Sequence, residues 1–152
     1  RRHALHKLGV LWEQSIKGAT PLACMIIDAD HFKKVNDSYG HNAGDIVLCE
    51  LAKTIQDAVR SDDIACRLGG DEFFVICPDT DEEGGLNIAE YIRKMVSELH
   101  VAISNDIWHG SISIGLATRA ANMKNVKDLI KIADNSVYMA KRDGKNCVRT
   151  KS

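Results

Sequence analysis

Leu68-Gly69-Gly70-Asp71-Glu72-Phe73 is the stretch that decides how this chain folds, because it sets a glycine pair and two carboxylates between two short apolar runs. Ile64-Ala65-Cys66 precedes it and Phe73-Phe74-Val75-Ile76-Cys77 follows it. Glycine adopts positive φ without steric cost, so this pattern predicts an antiparallel hairpin. The hairpin tip would present bare backbone, which a phosphate can approach, beside acids of the kind that a divalent cation binds. Taken alone, the hexapeptide is equally typical of a solvated turn.

Composition narrows the class of protein. The chain of 152 residues is long enough to form one domain with its own core. Twenty basic and 21 acidic side chains give a formal net charge of −1, so we expect no nucleic-acid partner. Five cysteines without a C-x-x-C pair indicate thiols in a reducing compartment, and not disulfides or a zinc site.

Targeting signals are lacking in the sequence itself. It contains no apolar run long enough to span a bilayer and opens with no signal-peptide pattern, which predicts a cytoplasmic domain. Because it begins at Arg1 without methionine, we expect a fragment of a longer protein. The upstream segment would include a sensory or regulatory domain, and it could anchor the whole protein to a membrane.

Apolar periodicity predicts the order of the elements. We expect an opening helix and linker over residues 1–20, a buried strand over 22–27, a polar loop over 30–41, a helix over 43–60 and then the hairpin. A helix beginning with a Thr80–Glu83 capping box follows, then strand pieces at 101–103 and 107–109, a strand over 111–116, a helix over 126–142 and an edge strand at 147–148. This order predicts a single α+β domain over 1–152. Its core would be ferredoxin-like, or palm-type, β-α-β-β-α-β with an added C-terminal helix and strand, and its mostly antiparallel sheet would pack against helices.

The predicted topology brings distant acids together. The crossover after the first strand should return the second strand parallel to the first, so that both finish at one edge of the sheet. Asp28 ends the first strand, while Asp71 and Glu72 lie in the turn that leaves the second. Neighbouring carboxylates repel one another unless a cation sits among them. Together with the Ala29 carbonyl, these hard oxygen ligands suit Mg²⁺.

Other polar residues have the chemistry to bind a nucleotide. The amides of His31-Phe32-Lys33 and the Lys33 ammonium could hold a phosphate tail, and Lys141 and Lys145 could add positive charge or simply be solvated lysines at a helix end. Asn36 and Asp45 could read guanine, because an amide and a carboxylate complement its O6 acceptor and its N1 and N2 donors. Each is also common as an ordinary turn or first-turn residue.

Several spaced motifs resemble one family. Gly69-Gly70-Asp71-Glu72-Phe73 spells the GGDEF motif, and residues 28–45 resemble that family's signature D-x-D-x-F-K-x-[VI]-N-D-x-x-G-H-x-x-G-D. Ser113-Ile114-Gly115 and residues 133–141 resemble its later blocks, so the likeness covers nearly the whole chain. Members of this family are diguanylate cyclases, which condense two GTP molecules into cyclic di-GMP and release pyrophosphate. The resemblance implies this activity, with a homodimer in which two half-sites face each other.

The resemblance also implies a role for each residue. Mg²⁺ or Mn²⁺ would be held by Asp28, the Ala29 carbonyl and Asp71, with Glu72 assisting, and Asp71 with Glu72 would be catalytic. Asp71 would also be the base that takes the 3′-hydroxyl proton. Substrate binding is implied for Phe32, Lys33, Asn36, His41, Asp45, Gly69, Gly70, Lys141 and Lys145.

One further pair matches the family's R-x-x-D inhibitory site for cyclic di-GMP. Arg60 and Asp63 have the required spacing, with Gly69 nine positions after the arginine. An arginine fork suits both a phosphate and a guanine edge. Without the resemblance, the same residues are typical of a surface ion pair at a helix end.

The chain also departs from the family pattern. Lys145 stands where arginine is more usual, which replaces a bidentate fork by a point charge. The D-x-L-T-x-L-x-N-R segment of many members is represented only by Arg1-Arg2. Because some relatives lose catalysis, the alternative is a catalytically silent module that senses GTP or cyclic di-GMP. A cyclase using ATP is disfavoured, since Asp45 would repel the N1 acceptor of adenine.

Overall fold

A computed structural model describes residues 2–150; Arg1 and residues 151–152, which belong to the predicted domain, lie outside the described part. The elements are α1 (Arg2–Gly18), β1 (Leu22–Ala29), α2 (Phe32–Tyr39), α3 (His41–Ala58), β2 (Ile64–Gly69), β3 (Glu72–Pro78), α4 (Glu82–Ser97), β4 (Val101–Ile103), β5 (Asp106–Trp108), β6 (Ile112–Thr118), α5 (Val126–Arg142) and β7 (Val148–Thr150).

The main sheet has the strand order β2-β3-β1-β6-β7, and β4 pairs with β5 in a separate hairpin. β1 pairs antiparallel with β3 and β6, β2 pairs antiparallel with β3, and β7 joins β6 in parallel. β2 therefore runs parallel to β1 with β3 between them, as the predicted crossover requires. The α+β, palm-type fold with a mostly antiparallel sheet is confirmed.

The sheet is buried on both faces. Met25 and Ile27 of β1 join the core beneath α2, α3, α4 and the β4–β5 hairpin. Cys24 and Ile26 point the other way, into the core that α1 and α5 cover. Because successive side chains of a strand alternate between faces, a strand that is covered twice needs a continuous apolar run. This explains why 22–27 carries no polar residue.

The predicted loop over 30–41 was wrong, since most of it forms α2. Phe32 and Val35, three positions apart, are both buried against the core. This spacing is too short to give a clear helical period. His31 enters the helix with φ 58° and provides no side-chain cap, so no N-terminal signal marks its start.

The predicted capping box at the start of α4 was also wrong. Asp81 is the N-cap residue, and its side chain accepts a hydrogen bond from the Gly84 N–H at 2.8 Å. The Thr80 hydroxyl instead donates to the Pro78 carbonyl at 2.8 Å and accepts from Arg60. Both candidate residues are good caps, and the tertiary contact to Arg60 decides between them.

α5 lies directly on β6. A Cβ atom added to Gly115 would come within 2.2 Å of both the Ala133 carbonyl oxygen and the Val137 nitrogen. Only glycine permits so close an approach of helix and strand. The contact aims the C-terminal end of α5 at the edge of the sheet where β1 ends. Within residues 2–150, no helix combines the length and the apolar character needed to cross a membrane.

Candidate active site

The acidic segments meet at the end of β1. Asp28 lies directly opposite Glu72 in the antiparallel register of β1 and β3. The Ala29 N–H donates a hydrogen bond of 3.2 Å to the Asp71 carbonyl, which ties the hairpin turn to the end of β1. The structure thus brings together the four residues predicted to hold a metal.

Asp28 shows the electrostatic cost of this arrangement. Burial raises the pKa of the Asp28 carboxyl, and the nearby Lys141 lowers it. A hydrogen bond and charge from Asp71, together with charge from Glu72, raise it further. The resulting pKa is about 7, compared with an ordinary 3.8. The Asp28 side chain keeps 23% of its exposure, so it is reachable from solvent. A reachable carboxylate whose ionisation is opposed by neighbouring acids is stabilised by a bound cation.

The glycines of the hairpin have the expected backbone role. Gly69 has φ 148° and Gly70 has φ 53°, both in the region that disfavours other residues. No atom lies within 4 Å of a Cβ built on either residue, so the outer side of the turn is open. The Arg67 Nε donates to the Gly70 carbonyl at 2.9 Å and holds the turn in place. Arg67 was not among the predicted site residues.

A further carboxylate at this edge, that of Asp30, was also missed by the sequence prediction. Asp30 is fully buried and accepts hydrogen bonds from Ser111 Oγ and Ser113 Oγ at 2.6 Å, the Asn146 N–H at 2.9 Å and Lys141 Nζ at 3.0 Å. Burial alone would raise the pKa of Asp30, but these hydrogen bonds outweigh burial and lower it. Its only signal in the sequence is the Asp28-x-Asp30 spacing, which puts both side chains on one side of an extended segment.

The C-terminal end of α5 supplies positive charge. Lys141 Nζ lies 3.0 Å from Asp30 Oδ1, 3.6 Å from Asp28 Oδ1 and 3.4 Å from the Ala29 carbonyl oxygen. Lys145 lies in the turn that follows, with φ 65° and its N–H donating to the Ala140 carbonyl at 2.9 Å. Lys141 therefore reaches the acids directly, and Lys145 is held on the segment next to them.

α2 and α3 place the residues predicted for the nucleotide. Phe32 is buried at the start of α2, while Lys33 is exposed one position later. Asn36 faces α3 so closely that a Cβ on Gly44 would lie 2.0 Å from its Oδ1. The small residue at Gly44 therefore lets Asn36 lie beside the start of α3.

The first turn of α3 carries His41 and Asp45, the other two residues predicted to bind the guanine. His41 is the exposed first residue of the helix. Asp45, directly after Gly44, lines a shallow hollow of about 420 Å³ with Leu48, Cys49, Ala52 and Arg67. Asn36 and Asp45 thus both lie at the first turn of α3, Asn36 against Gly44 and Asp45 on the side that faces Arg67 of β2.

Arg60 and Asp63 form a bidentate pair at the turn between α3 and β2. Arg60 donates from Nε to Asp63 Oδ2 at 3.0 Å and from an Nη to Oδ1 at 2.8 Å. The Asp63 side chain is fully buried, whereas half of the Arg60 side chain is exposed. Asp63 also accepts from the Arg60 N–H at 2.9 Å and so closes the turn. Only the arginine therefore offers an outward surface in this geometry.

A larger groove, of about 520 Å³, lies on the other side of α2. Lys34, Ser38 and Tyr39 line one wall, and Trp108 and His109 line the other. Its inner end reaches Asp30 and His31, the residue whose amide was predicted to meet a phosphate, but none of the predicted metal ligands is in its lining. Cavity size alone would therefore point to the far side of α2 and not to Asp28, Asp71 and Glu72.

The donor set fits a divalent cation. Among residues 2–150, no three His, Cys, Asp or Glu side chains converge on one point as a ready metal cage. Mg²⁺ instead commonly takes one or two carboxylates, waters and phosphate oxygens. The Asp28 and Asp71 carboxylates and the Ala29 carbonyl provide such a set, with Glu72 beside them. The Lys141 ammonium lies 3.4 Å from the Ala29 carbonyl oxygen and 3.6 Å from Asp28 Oδ1, so positive charge already lies beside this set.

Fold and site together define a class: palm-type α+β domains with an acidic edge where the first strand and the following hairpin meet. The family description "Diguanylate cyclase, GGDEF domain" matches residues 1–147. The chain belongs to the GGDEF domain family.

The chain is also similar in sequence to named members of this family. The chain is 41% identical over 150 residues to the response regulator PleD of Caulobacter vibrioides, a match that covers 97% of this chain and 33% of the relative. It is 39% identical over 127 residues to diguanylate cyclase A of Treponema denticola, covering 84% of this chain and 34% of that protein. The chain thus spans about a third of the length of these relatives.

Solved structures show the same fold. The active GGEEF domain of a diguanylate cyclase from Vibrio cholerae matches with a TM-score of 0.91 and 30% identity, covering 100% of this chain and 97% of that one. The GGDEF domain of DgcB from Caulobacter crescentus, solved in complex with c-di-GMP, matches with a TM-score of 0.93 and 29% identity, covering 98% of this chain and 88% of that one.

Proposed function

We propose that this domain is a diguanylate cyclase, which joins two GTP molecules into cyclic di-GMP and releases pyrophosphate. The observation that carries the proposal is the register that sets Asp28 opposite Glu72, with Asp71 tied to Ala29 by a hydrogen bond. The acidic motif is therefore assembled on one edge of the sheet, where its oxygens would bind the metal. The names of the relatives support the same reaction.

The reaction would be attack of the 3′-hydroxyl of one GTP on the α-phosphorus of the other. Mg²⁺ or Mn²⁺ would neutralise charge on the transferred phosphoryl group and the leaving pyrophosphate. Asp28, the Ala29 carbonyl and Asp71 would hold the cation, with Glu72 assisting. A carboxylate of this cluster, Asp71 by the family pattern, would accept the hydroxyl proton.

The chain's other residues would bind and orient GTP. The Phe32 N–H at the start of α2, Lys33, Lys141 and Lys145 would contact the phosphates. Asn36, His41 and Asp45 would hold the guanine. The bare backbone of Gly69 and Gly70 would allow the nucleotide to approach the hairpin.

One domain carries one such half-site, so the reaction requires two domains facing each other as a homodimer. Regulation would act on this pairing through segments beyond the chain. Two relatives support this: one is named a response regulator, and the SiaD cyclase of Pseudomonas aeruginosa was solved in complex with its activator SiaC. Arg60, with Asp63 holding it, would bind the product and inhibit the enzyme. A cytoplasmic location stays a prediction.

The test is to incubate the domain with GTP and Mg²⁺ at high protein concentration and to quantify cyclic di-GMP by mass spectrometry. We expect product from the wild type and a loss of at least about 100-fold for Asp71→Asn, because that change removes a metal ligand and the proton acceptor. Asp57→Asn, on the exposed surface of α3, is the matched control and should keep its rate. GTP binding without any product, even when the domain is fused to a dimeric coiled coil, would instead establish a silent GTP-sensing module. ATP should neither react nor compete.

A further inference from the structure

Asp30 is the most completely satisfied carboxylate at this edge, and the roles proposed above do not use it. Its side chain is fully buried. Its four donors come from three separate parts of the chain: the start of β6, the end of α5 and the turn before β7. Burying an ionised carboxylate is unfavourable unless hydrogen bonds replace its contacts with water. A buried Asp30 with four donors is therefore unlike an ordinary surface acid.

The first part joined by Asp30 is the ammonium of Lys141. Without Asp30, the nearest carboxylate to Lys141 would be Asp28, now 3.6 Å away. A direct pair with Asp28 would occupy the oxygen that the proposed cation needs. Asp30 holds the ammonium more closely, at 3.0 Å, so the positive charge stays at the site while Asp28 keeps only a longer contact with it, which a bound metal could replace.

The second part is the turn that carries Lys145. Gly144, Lys145 and Asn146 have φ values of 118°, 65° and 48°, three successive residues in the left-handed region. Non-glycine residues adopt this region at an energetic cost, so such a turn persists only where other contacts fix it. The Asn146 N–H donating to Asp30 at 2.9 Å is one of these contacts.

We propose that Asp30 is a positioning residue of the nucleotidyl-transfer site, which fixes Lys141 and the turn bearing Lys145 where the phosphates of GTP would lie. This inference rests on the proposed function. It assigns Asp30 no contact with substrate or metal; Asp30 acts through the two lysine-bearing segments.

A purely structural role would lower stability without a specific effect on GTP, so the test compares the two. Asp30→Asn keeps the size but loses the charge that holds Lys141. Ser15→Ala is the control, because Ser15 is equally buried and hydrogen-bonded, to Thr20 and Arg119, at the opposite end of β1. We expect Asp30→Asn to raise the KM for GTP by about tenfold or more. Ser15→Ala should lower the Tm but leave KM within about twofold.

A double mutant shows whether Asp30 acts through Lys141. Lys141→Met should raise KM by a similar factor, and adding Asp30→Asn to it should change KM little further. Effects that multiply, or an equal rise of KM in Ser15→Ala, would overturn the inference. Calorimetric binding of a non-hydrolysable GTP analogue with Mg²⁺ repeats the comparison between the variants without turnover. If the wild type binds the analogue but makes no product, the proposed function is refuted, while the role of Asp30 in binding can still be measured.

Chemical acetylation of the wild-type domain provides a readout that needs neither substrate nor variant. With acetic anhydride at pH 8, followed by mass spectrometry, Lys141 should react at least about tenfold more slowly than the exposed Lys33, because Asp30 holds its ammonium. Equal rates would overturn the inference even if Asp30→Asn failed to fold. If the variant folds, its Lys141 should react at least about threefold faster than Lys141 of the wild type.

Discussion

The Asp28 carboxylate that is proposed to bind the metal should lower the stability of the metal-free domain when it is ionised. Its folded pKa of about 7 lies above the ordinary 3.8, so folding favours the protonated carboxyl. That stabilising contribution is fully present below pH 3.8 and is lost as the pH rises through 7. We therefore expect Asp28→Asn to stabilise the metal-free domain at pH 8 by about 1 to 3 kcal/mol, while abolishing cyclase activity.

Urea unfolding in EDTA at pH 5 and pH 8 measures this effect. The free energy of unfolding of the wild type should fall between these pH values more than that of Asp28→Asn does, and Mg²⁺ should restore part of it at pH 8. Asp57→Asn, on α3, is the matched removal of a carboxylate. If Asp28→Asn destabilised the domain at pH 8 as much as at pH 5, the account of its pKa would be wrong.

Replacing Arg60 tests whether the proposed product inhibition is separate from catalysis. Half of its side chain is exposed, whereas its partner Asp63 is fully buried. Arg60→Ala should abolish inhibition by added cyclic di-GMP, leave the KM for GTP unchanged and lower the free energy of unfolding by about 1 to 3 kcal/mol, because Asp63 keeps a buried charge with fewer partners.

Arg93→Ala is the control for product inhibition only, since it also removes an arginine from an ion pair within one turn, with Glu90 on α4, and from a hydrogen bond to the Asn146 side chain at 2.9 Å. It should cost about 0 to 1 kcal/mol and leave inhibition intact. Calorimetry of cyclic di-GMP with each variant measures binding directly. Retained inhibition in Arg60→Ala would show that the product acts elsewhere.

At the level of single residues, the sequence predicts what short motifs and strand direction determine. Asp28 and Asp71 could be paired because each occupies a defined position in its element, and the topology fixes which ends meet. Asp30 could not be assigned, since its partners Ser111, Ser113 and Lys141 lie more than 80 positions away and their convergence depends on how β6 and α5 pack. Long-range hydrogen bonding of this kind leaves no local pattern.

The packing of α5 on β6 depends on one glycine. A Cβ at Gly115 would meet backbone atoms of α5 at 2.2 Å, and backbone cannot move aside as a flexible side chain can. Gly115→Ala should therefore shift the helix and destabilise the domain by about 2 to 4 kcal/mol. It should also reduce cyclase activity, because α5 carries Lys141 to the acids.

Gly9→Ala in α1 is the matched control, since no atom lies within 4 Å of its added Cβ. Replacing a glycine inside a helix should stabilise the domain by about 0.5 to 1 kcal/mol. Thermal unfolding measures both changes. Equal stability of the two variants would contradict the close contact between helix and strand.

Prediction of the elements succeeded where the apolar period was long. α5 was predicted over 126–142, the residues that form it. α2 was missed because its eight residues bury only two side chains, too few to show a period, and its start lacks a cap. Short helices held by tertiary contacts are therefore the elements that a single sequence conceals, and here such a helix carries Phe32, Lys33 and Asn36.

For the molecule as a whole, the described domain has one acidic edge, and the proposed reaction needs two GTP molecules held face to face. We therefore expect the initial rate of cyclic di-GMP formation to rise with the square of the domain concentration while the domain is mostly monomeric. Sedimentation velocity at the same concentrations measures the monomer fraction. Fusion of a dimeric coiled coil before α1 should make the rate proportional to concentration, because the two half-sites are then held at high effective concentration. A constant specific activity of the unfused domain, at concentrations where it sediments as a monomer, would show that one domain completes the reaction alone and would refute the facing arrangement.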